Sequence, residues 1–288
     1  MDDAKLFLAR LCFPYLGNGC SVGNLRLEMR SLAPKHRTDL PPAFSNWFPL
    51  TVTGCANAAN HAIKTSKNYN VYAGVLPRRG QTRHAPDVAA AGYLWCEIDG
   101  KSDGPEGAGE LLISATKNNL PMPTMVVNSG GGLHIYWPLS SPFPLSGTED
   151  IKRFNALLLR LAYAVGGLKW DKDRFGSYTG KAKPVNLERA YADPVCADVA
   201  RILRIPGTRN HKPERLCTVK LQIHNPPASH IMPLSEWDTI LPKKPVQPPL
   251  KIAFIASTRP GDASTLSSYM QGRLYQSVYP VGQKFPNL

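Results

Sequence analysis

Three consecutive glycines, Gly130 to Gly132, lie within the stretch VVNSGGGLHIYWPL, between two runs that read as β-strand. Glycine has no side chain to pack and loses the most backbone entropy on folding, so a triplet is foreign to a strand interior. It must turn the chain, and PTMVVNS and GLHIYWPL become neighbouring strands joined by a short loop. Two readings of the triplet stand at this point. One is a hairpin turn followed by a half-buried histidine. The other is a backbone laid against something bulky and anionic, with His134 reaching toward it. Successive N–H groups in such a turn form an anion-binding nest. Ser129 can add a hydroxyl donor and His134 a ring N–H.

Other segments alternate between strand and helix. NLRLEM (Asn24 to Met29), NVYAGVL (Asn70 to Leu76), YLWCEID (Tyr93 to Asp99) and CTVKLQIHNP read as strands. TGCANAANHAIKTSKN reads as a helix capped near Thr53, and GELLISATKNN as another. The strongest helix is TEDIKRFNALLLRLAYAVGGL, with Thr148 as cap, acids in its first turn and glycines at its end. PRRGQTRHAPDVAAAG is a basic loop, and WDKDRFGSYTGKAKPVNLERAY reads as a long irregular one, which in a compact domain is usually functional. From about Pro242, PKKPVQPPLK reads as an extended proline-rich linker before a tail of one weak helix. No repeat is visible. Strands joined by short turns among helices predict an α+β domain with a mixed or antiparallel sheet.

Composition narrows the partners. The 288 residues can bury a real core, and 43% hydrophobic with 19% charged residues fits an ordinary soluble chain. The longest apolar run, Ala156 to Leu168, is interrupted by Arg160 and Gly166, so no membrane span is expected. The chain opens with two acids where an export signal places basic residues, and a cytoplasmic location is expected. Six scattered cysteines (12, 20, 55, 96, 196 and 217) without a C-x-x-C pair suit free thiols. A structural zinc site would require distant residues to converge. The 34 Lys and Arg against 21 Asp and Glu give +13, and nucleic acid is the commonest polyanionic partner of such a surface.

Two further elements can carry chemistry. Glu97 and Asp99 alternate on a strand and project to one face, where they repel unless a cation lies between them. Placed before Gly100, they can hold a divalent ion that also binds phosphates, although alone the tripeptide reads as an ordinary charged strand end. RILRIPGTRNHK sets Arg201 and Arg204 three apart, on one face if helical, with Arg209 and Lys212 beyond a Pro-Gly turn. Guanidinium groups bind phosphate oxygens bidentately, so the run suits a triphosphate or a template backbone; a solvated basic loop is the plainer reading. Asp193 and Asp198 lie just upstream.

Taken together, LWCEID, SGGGLHIYW and ADPVCADVARILRIPGTRNHK resemble, in order and spacing, the archaeo-eukaryotic primase superfamily, in particular its plasmid and phage primase-polymerases. The resemblance spans roughly Tyr72 to Lys212. It implies metal-binding acids at Glu97 and Asp99, with glutamate where the family more often has aspartate, and a third acid at Asp193, with Asp198 as the alternative. It implies nucleotide contacts from Ser129, Gly131, Gly132, His134, Arg201, Arg204 and Lys212. Nucleic acid is expected at Arg78, Arg79, Arg209 and Tyr178. The implied fold is an RNA-recognition-like sheet joined to an N-terminal α/β unit, one composite domain over residues 1–241, with linker and tail over 242–288. The implied activity is a DNA primase, a polymerase or both, using Mg²⁺ or Mn²⁺ (two ions), dNTP or NTP substrates and a single-stranded DNA template, with a helicase or other replication protein as a further partner. Tyr136, Trp137 and Tyr178 offer stacking surfaces, with core packing the stronger reading for the first two. Two alternatives remain: an inactive replication-initiation module that only binds single-stranded DNA, and a metal-dependent nuclease.

Overall fold

The computed structural model describes residues 2–16, 24–172 and 178–243. Its helices are α1 (Asp3–Cys12), α2 (Val52–Thr65), α3 (Gly104–Lys117), α4 (Thr148–Val165) and α5 (Leu234–Ile240). The strands begin with β1 (Leu25–Leu32), β2 (Ala43–Pro49), β3 (Asn70–Gly74), β4 (Arg78–Arg79), β5 (Ala90–Asp99), β6 (Met125–Asn128) and β7 (Gly132–Pro144). They continue with β8 (Leu168–Lys172), β9 (Tyr178–Pro184), β10 (Tyr191–Ala192), β11 (Ile202–Arg204), β12 (Arg209–Asn210), β13 (Cys217–Thr218) and β14 (Lys220–Ile223).

Two antiparallel sheets organise the chain. One has the order β11-β3-β1-β2, with β4 also on β1; the other is β10-β5-β7-β6-β14. Within the second, β5-α3-β6-β7-α4-β10 is a βαββαβ unit whose fourth, first, third and second strands lie side by side. That is the arrangement of an RNA-recognition-like sheet, as the family resemblance implied. The sequence-predicted N-terminal α/β unit is the first sheet with α1 and α2, completed by β11 returning from far along the chain.

The sheet forms here because β5 is buried through almost its whole length and pairs with β7 from Tyr93↔Pro138 to Asp99↔Gly132. Trp95, Tyr136, Trp137 and Phe154 are buried to within 1% of full exclusion from solvent. Tyr136 and Trp137 are therefore core residues, with Phe7 edge-on to Tyr136 and Trp237 edge-on to Trp137. Helix α4 presents Phe154, Leu157, Leu158 and Leu161 as one buried stripe at helical spacing. Its cap is Gly147, one residue before the expected Thr148, and α2 is capped by Thr51, whose hydroxyl accepts from Gly54 N at 3.0 Å.

Two expected local structures differ. The stretch expected to be irregular contains β8 and β9, which pair with each other. Arg201 and Arg204 do not share a helical turn: β11 lies between them, drawn into extended form by pairing with β3. Residues 2–16, 24–169 and 182–243 belong to one compact unit, and residues 170–172 and 178–181 to another. Of the linker and tail expected over 242–288, residues 244–288 lie outside the described residues. Among the described residues no helix is long and apolar enough to cross a membrane.

Candidate active site

The glycine triplet lies against the chain itself. Gly130 has φ +90, and a Cβ there would stand 2.3 Å from Cys217 Sγ. At Gly131 it would meet Arg215 Nη1 at 2.1 Å, and at Gly132 the Ile98 carbonyl oxygen at 2.0 Å. The segment beyond the Pro-Gly turn is thus folded onto the loop, held by Asn210 Nδ2 donating to Ser129 O at 2.7 Å. The nest expected here is largely closed. Ser129 N and Oγ both donate to Gly132 O, and Gly130 N donates to Asn128 Oδ1. Ser129 therefore supplies no spare hydroxyl hydrogen. Gly132→Ala is expected to cost about 2–3 kcal/mol or more, since its clash is with backbone. Gly131→Ala, which meets only the mobile end of Arg215, should cost less; chemical denaturation of the two variants checks the order.

This packing lines a cleft with both sheets. Tyr72 from β3, Glu97 from β5 and His134 from β7 face it, joined by Arg201, Arg204, Asn210, Lys212 and Arg215. Glu97 and His134 are directly opposite each other on β5 and β7, so their side chains share one face. Tyr191 pairs with Asp99, and Asp193 N donates to Glu97 O at 2.7 Å, which carries Asp193 beside the same strand end.

Carboxylate oxygens of Glu97 and Asp193 and the sulfur of Cys196 lie within 4.8 Å of one another. Cys196 Sγ is 2.8 Å from Glu97 Oε2 and 3.2 Å from Asp193 Oδ2. Arg201 Nη2 lies among them, 3.2 Å from Glu97 Oε2, 3.9 Å from Asp193 Oδ2 and bonded to Cys196 Sγ. Burial acts to raise the Glu97 pKa, but His134 in its protonated form, the Cys196 hydrogen bond and Arg201 outweigh it and hold the carboxyl below its usual range. Cys196 is pushed up, first by burial and then by Glu97.

Asp99 is not in this trio. Its carboxylate accepts from Lys101 Nζ at 2.6 Å and stands 3.8 Å from Arg215 Nη1. Asp198, the alternative third acid, accepts from Ala200 N and is outside the cluster as well. Asp193 and Cys196 take the places beside Glu97.

His134 is 3% exposed, and its Nδ1 has no hydrogen-bond partner; Nε2 is 3.7 Å from Glu97 Oε1. Burial pushes its pKa down to about 4, against the opposing pull of Glu97, with Arg204 and Arg201 adding to the fall. At neutral pH the ring is uncharged, so it can donate one hydrogen bond without burying a cation.

The arginines divide. Arg204 is buried, bonded to Asn70 Oδ1 at 2.8 Å with its guanidinium 4.9 Å from the Tyr72 ring centre. Lys212 is exposed at the cleft, whereas Arg209 is exposed and does not line it. Arg78, expected on nucleic acid, is fully buried against Glu28, Val199 O and Ala200 O, because β4 turns its guanidinium inward. Arg79 is also committed: it bonds the carbonyls of Val88, Ala89 and Leu145 and ties the basic loop down. The side chain of Tyr178 lies outside the described residues. Arg215 escaped the sequence reading, although it stands only three residues past Lys212 in the same basic run.

No family model matches the chain, and no curated protein matches it. Among solved structures, the chain shares its fold with an archaeo-eukaryotic primase (AEP) domain. The chain has the AEP fold. The AEP domain of the cyanophage S-2L primase-polymerase superposes with a TM-score of 0.52 at 16% identity, covering 83% of this chain and 97% of that one. The primase RepB' (TM-score 0.39, 12% identity, covering 75% of this chain and 56% of that one) is a looser match. So is the polymerase domain of Mycobacterium tuberculosis Ligase D in complex with DNA (0.41, 15%, 82% and 85%).

Proposed function

We propose that the protein is a template-dependent nucleotidyltransferase of the primase-polymerase type, building or extending strands on single-stranded DNA from dNTP or NTP. The observation that carries this reading is the convergence of Glu97 and Asp193 around a cationic group, beside a buried histidine whose Nδ1 has no partner, in a basic cleft. The cyanophage neighbour, titled a primase-polymerase, supports it through the shared fold.

The residues fit divalent ions. Arg201 already places positive charge among the three donors, and the oxygen-rich set with one sulfur suits Mn²⁺ at least as well as Mg²⁺. Divalent ions bound there would acidify the attacking 3′-hydroxyl and neutralise the departing pyrophosphate. The chain's own groups do the rest. Lys212 and Arg215 supply charge for the triphosphate tail, and neutral His134 can donate to a phosphate oxygen. Tyr72 and the Arg204 guanidinium over its ring hold the floor of the cleft. Asn210, by tying Ser129 to the basic run, fixes these cations relative to β7. The net positive surface holds the template through its phosphates, so affinity falls with salt. A cytoplasmic setting is part of this proposal.

The test is incubation with unprimed single-stranded DNA, Mn²⁺ or Mg²⁺ and labelled triphosphates. Labelled oligomers that depend on template are expected. Template binding with no incorporation would favour the inactive DNA-binding module, and degradation of labelled DNA without triphosphates would favour a nuclease.

A further inference from the structure

We propose that Arg201 is a substitute cation: its guanidinium fills the Glu97–Asp193–Cys196 cluster until a divalent ion displaces it, and it then turns to the triphosphate, coupling the two ligands. This rests on the cluster being the ion site argued above. The geometry is specific to Arg201. Its Nη2 bonds Glu97 and Cys196 and lies 3.9 Å from Asp193, whereas Arg215 stands against Asp99 and Arg204 is held by Asn70 and Tyr72. A guanidinium and a divalent ion cannot share donors that lie within 4.8 Å of one another, because their charges repel.

Arg201 is also free to leave. Its Nε has no partner, so only the outer end of the guanidinium is anchored, and the residue lines the same cleft as His134, Lys212 and Arg215. The unpartnered Nδ1 of buried His134 independently marks that cleft as built for a polar ligand. Once displaced, Arg201 would have no carboxylate left to pair with, and a triphosphate offers bidentate oxygens within the same cleft. Each ligand therefore raises the affinity for the other, by the same factor in both directions.

The test measures Mn²⁺ binding to the full chain without nucleotide, from the electron paramagnetic resonance signal of the free ion. Arg201→Gln is expected to bind Mn²⁺ about tenfold more tightly than the parent, a coupling of ordinary size. Arg215→Gln removes the same charge from the same cleft but not from the cluster, and should change binding by less than about threefold. Arg201→Lys keeps the charge without the planar fork and should fall between, which guards against a folding defect in the first variant. Inorganic tripolyphosphate should tighten Mn²⁺ binding more in the parent than in Arg201→Gln. Equal or weaker Mn²⁺ binding by Arg201→Gln, with binding lost in Glu97→Gln, overturns the substitute-cation role and leaves the ion site standing. Mn²⁺ binding that ignores Glu97→Gln overturns both.

Discussion

Glu97→Gln is expected to lower nucleotide incorporation by on the order of 10³-fold while leaving the circular dichroism spectrum unchanged. The change keeps the size of the side chain and its place opposite His134, but removes the charge that the cluster shares with Asp193. If the cluster holds the ion as proposed, losing one charged ligand would forfeit several kcal/mol of stabilisation for the charge that would develop on a departing pyrophosphate. Asp99→Asn separates the roles of the two strand acids. Asp99 is outside the trio and engaged with Lys101, so its variant should retain Mn²⁺ binding at Glu97 and Asp193 and lose far less incorporation than Glu97→Gln. Single-turnover incorporation and Mn²⁺ titration on the same preparations check both statements. Full incorporation by Glu97→Gln would remove the cluster from the chemistry.

Arg78→Met should destabilise the protein by about 3–5 kcal/mol, because it strands a buried Glu28 without its cation. Both side chains are 0% exposed, joined at 3.4 Å, and Arg78 also donates to the carbonyls of Val199 and Ala200 just ahead of β11. Arg30, also bonded to Glu28, is partly exposed and compensates only in part. The double change Glu28→Leu with Arg78→Met should recover much of the loss, since an apolar pair avoids desolvating two charges. Urea denaturation of the single and double variants reads this directly. A residue contacting DNA would behave in the opposite way, with stability near the parent's and a shallower salt dependence of binding.

That contrast marks what the sequence could and could not convey. The strands β5, β6 and β7 and the helices α3 and α4 were legible from their own periodicity and the glycines between them, whereas their RNA-recognition-like order came from the family resemblance and the two-residue β10 carries no signal of its own. The cluster was half legible. Glu97, Asp193 and the cysteine three residues on stand where the resemblance puts them, but that the thiol joins the carboxylates depends on a short 3-10 turn at Pro194–Cys196, which folds it back onto Glu97. The glycine triplet was legible as a turn, while the object pressed against it was not, since Arg215 and Cys217 arrive from more than 80 residues away. Arg78 and Arg79 fail for the same reason. A basic loop reads alike whether its guanidinium groups face solvent or a carboxylate 50 residues upstream, and long-range pairing decides between them.

Underlying all of this is one spatial claim: the carboxylates of residues 97 and 193 grip a divalent ion on the wall of a nucleotide cleft. Crystals of the full chain grown with Mn²⁺ and a non-hydrolysable nucleoside triphosphate test it most directly, through the anomalous signal of the ion. The account expects a peak bridging those two side chains, with the phosphates against His134, Lys212 and Arg215. An ordered triphosphate elsewhere, or a peak that avoids both carboxylates, would contradict it.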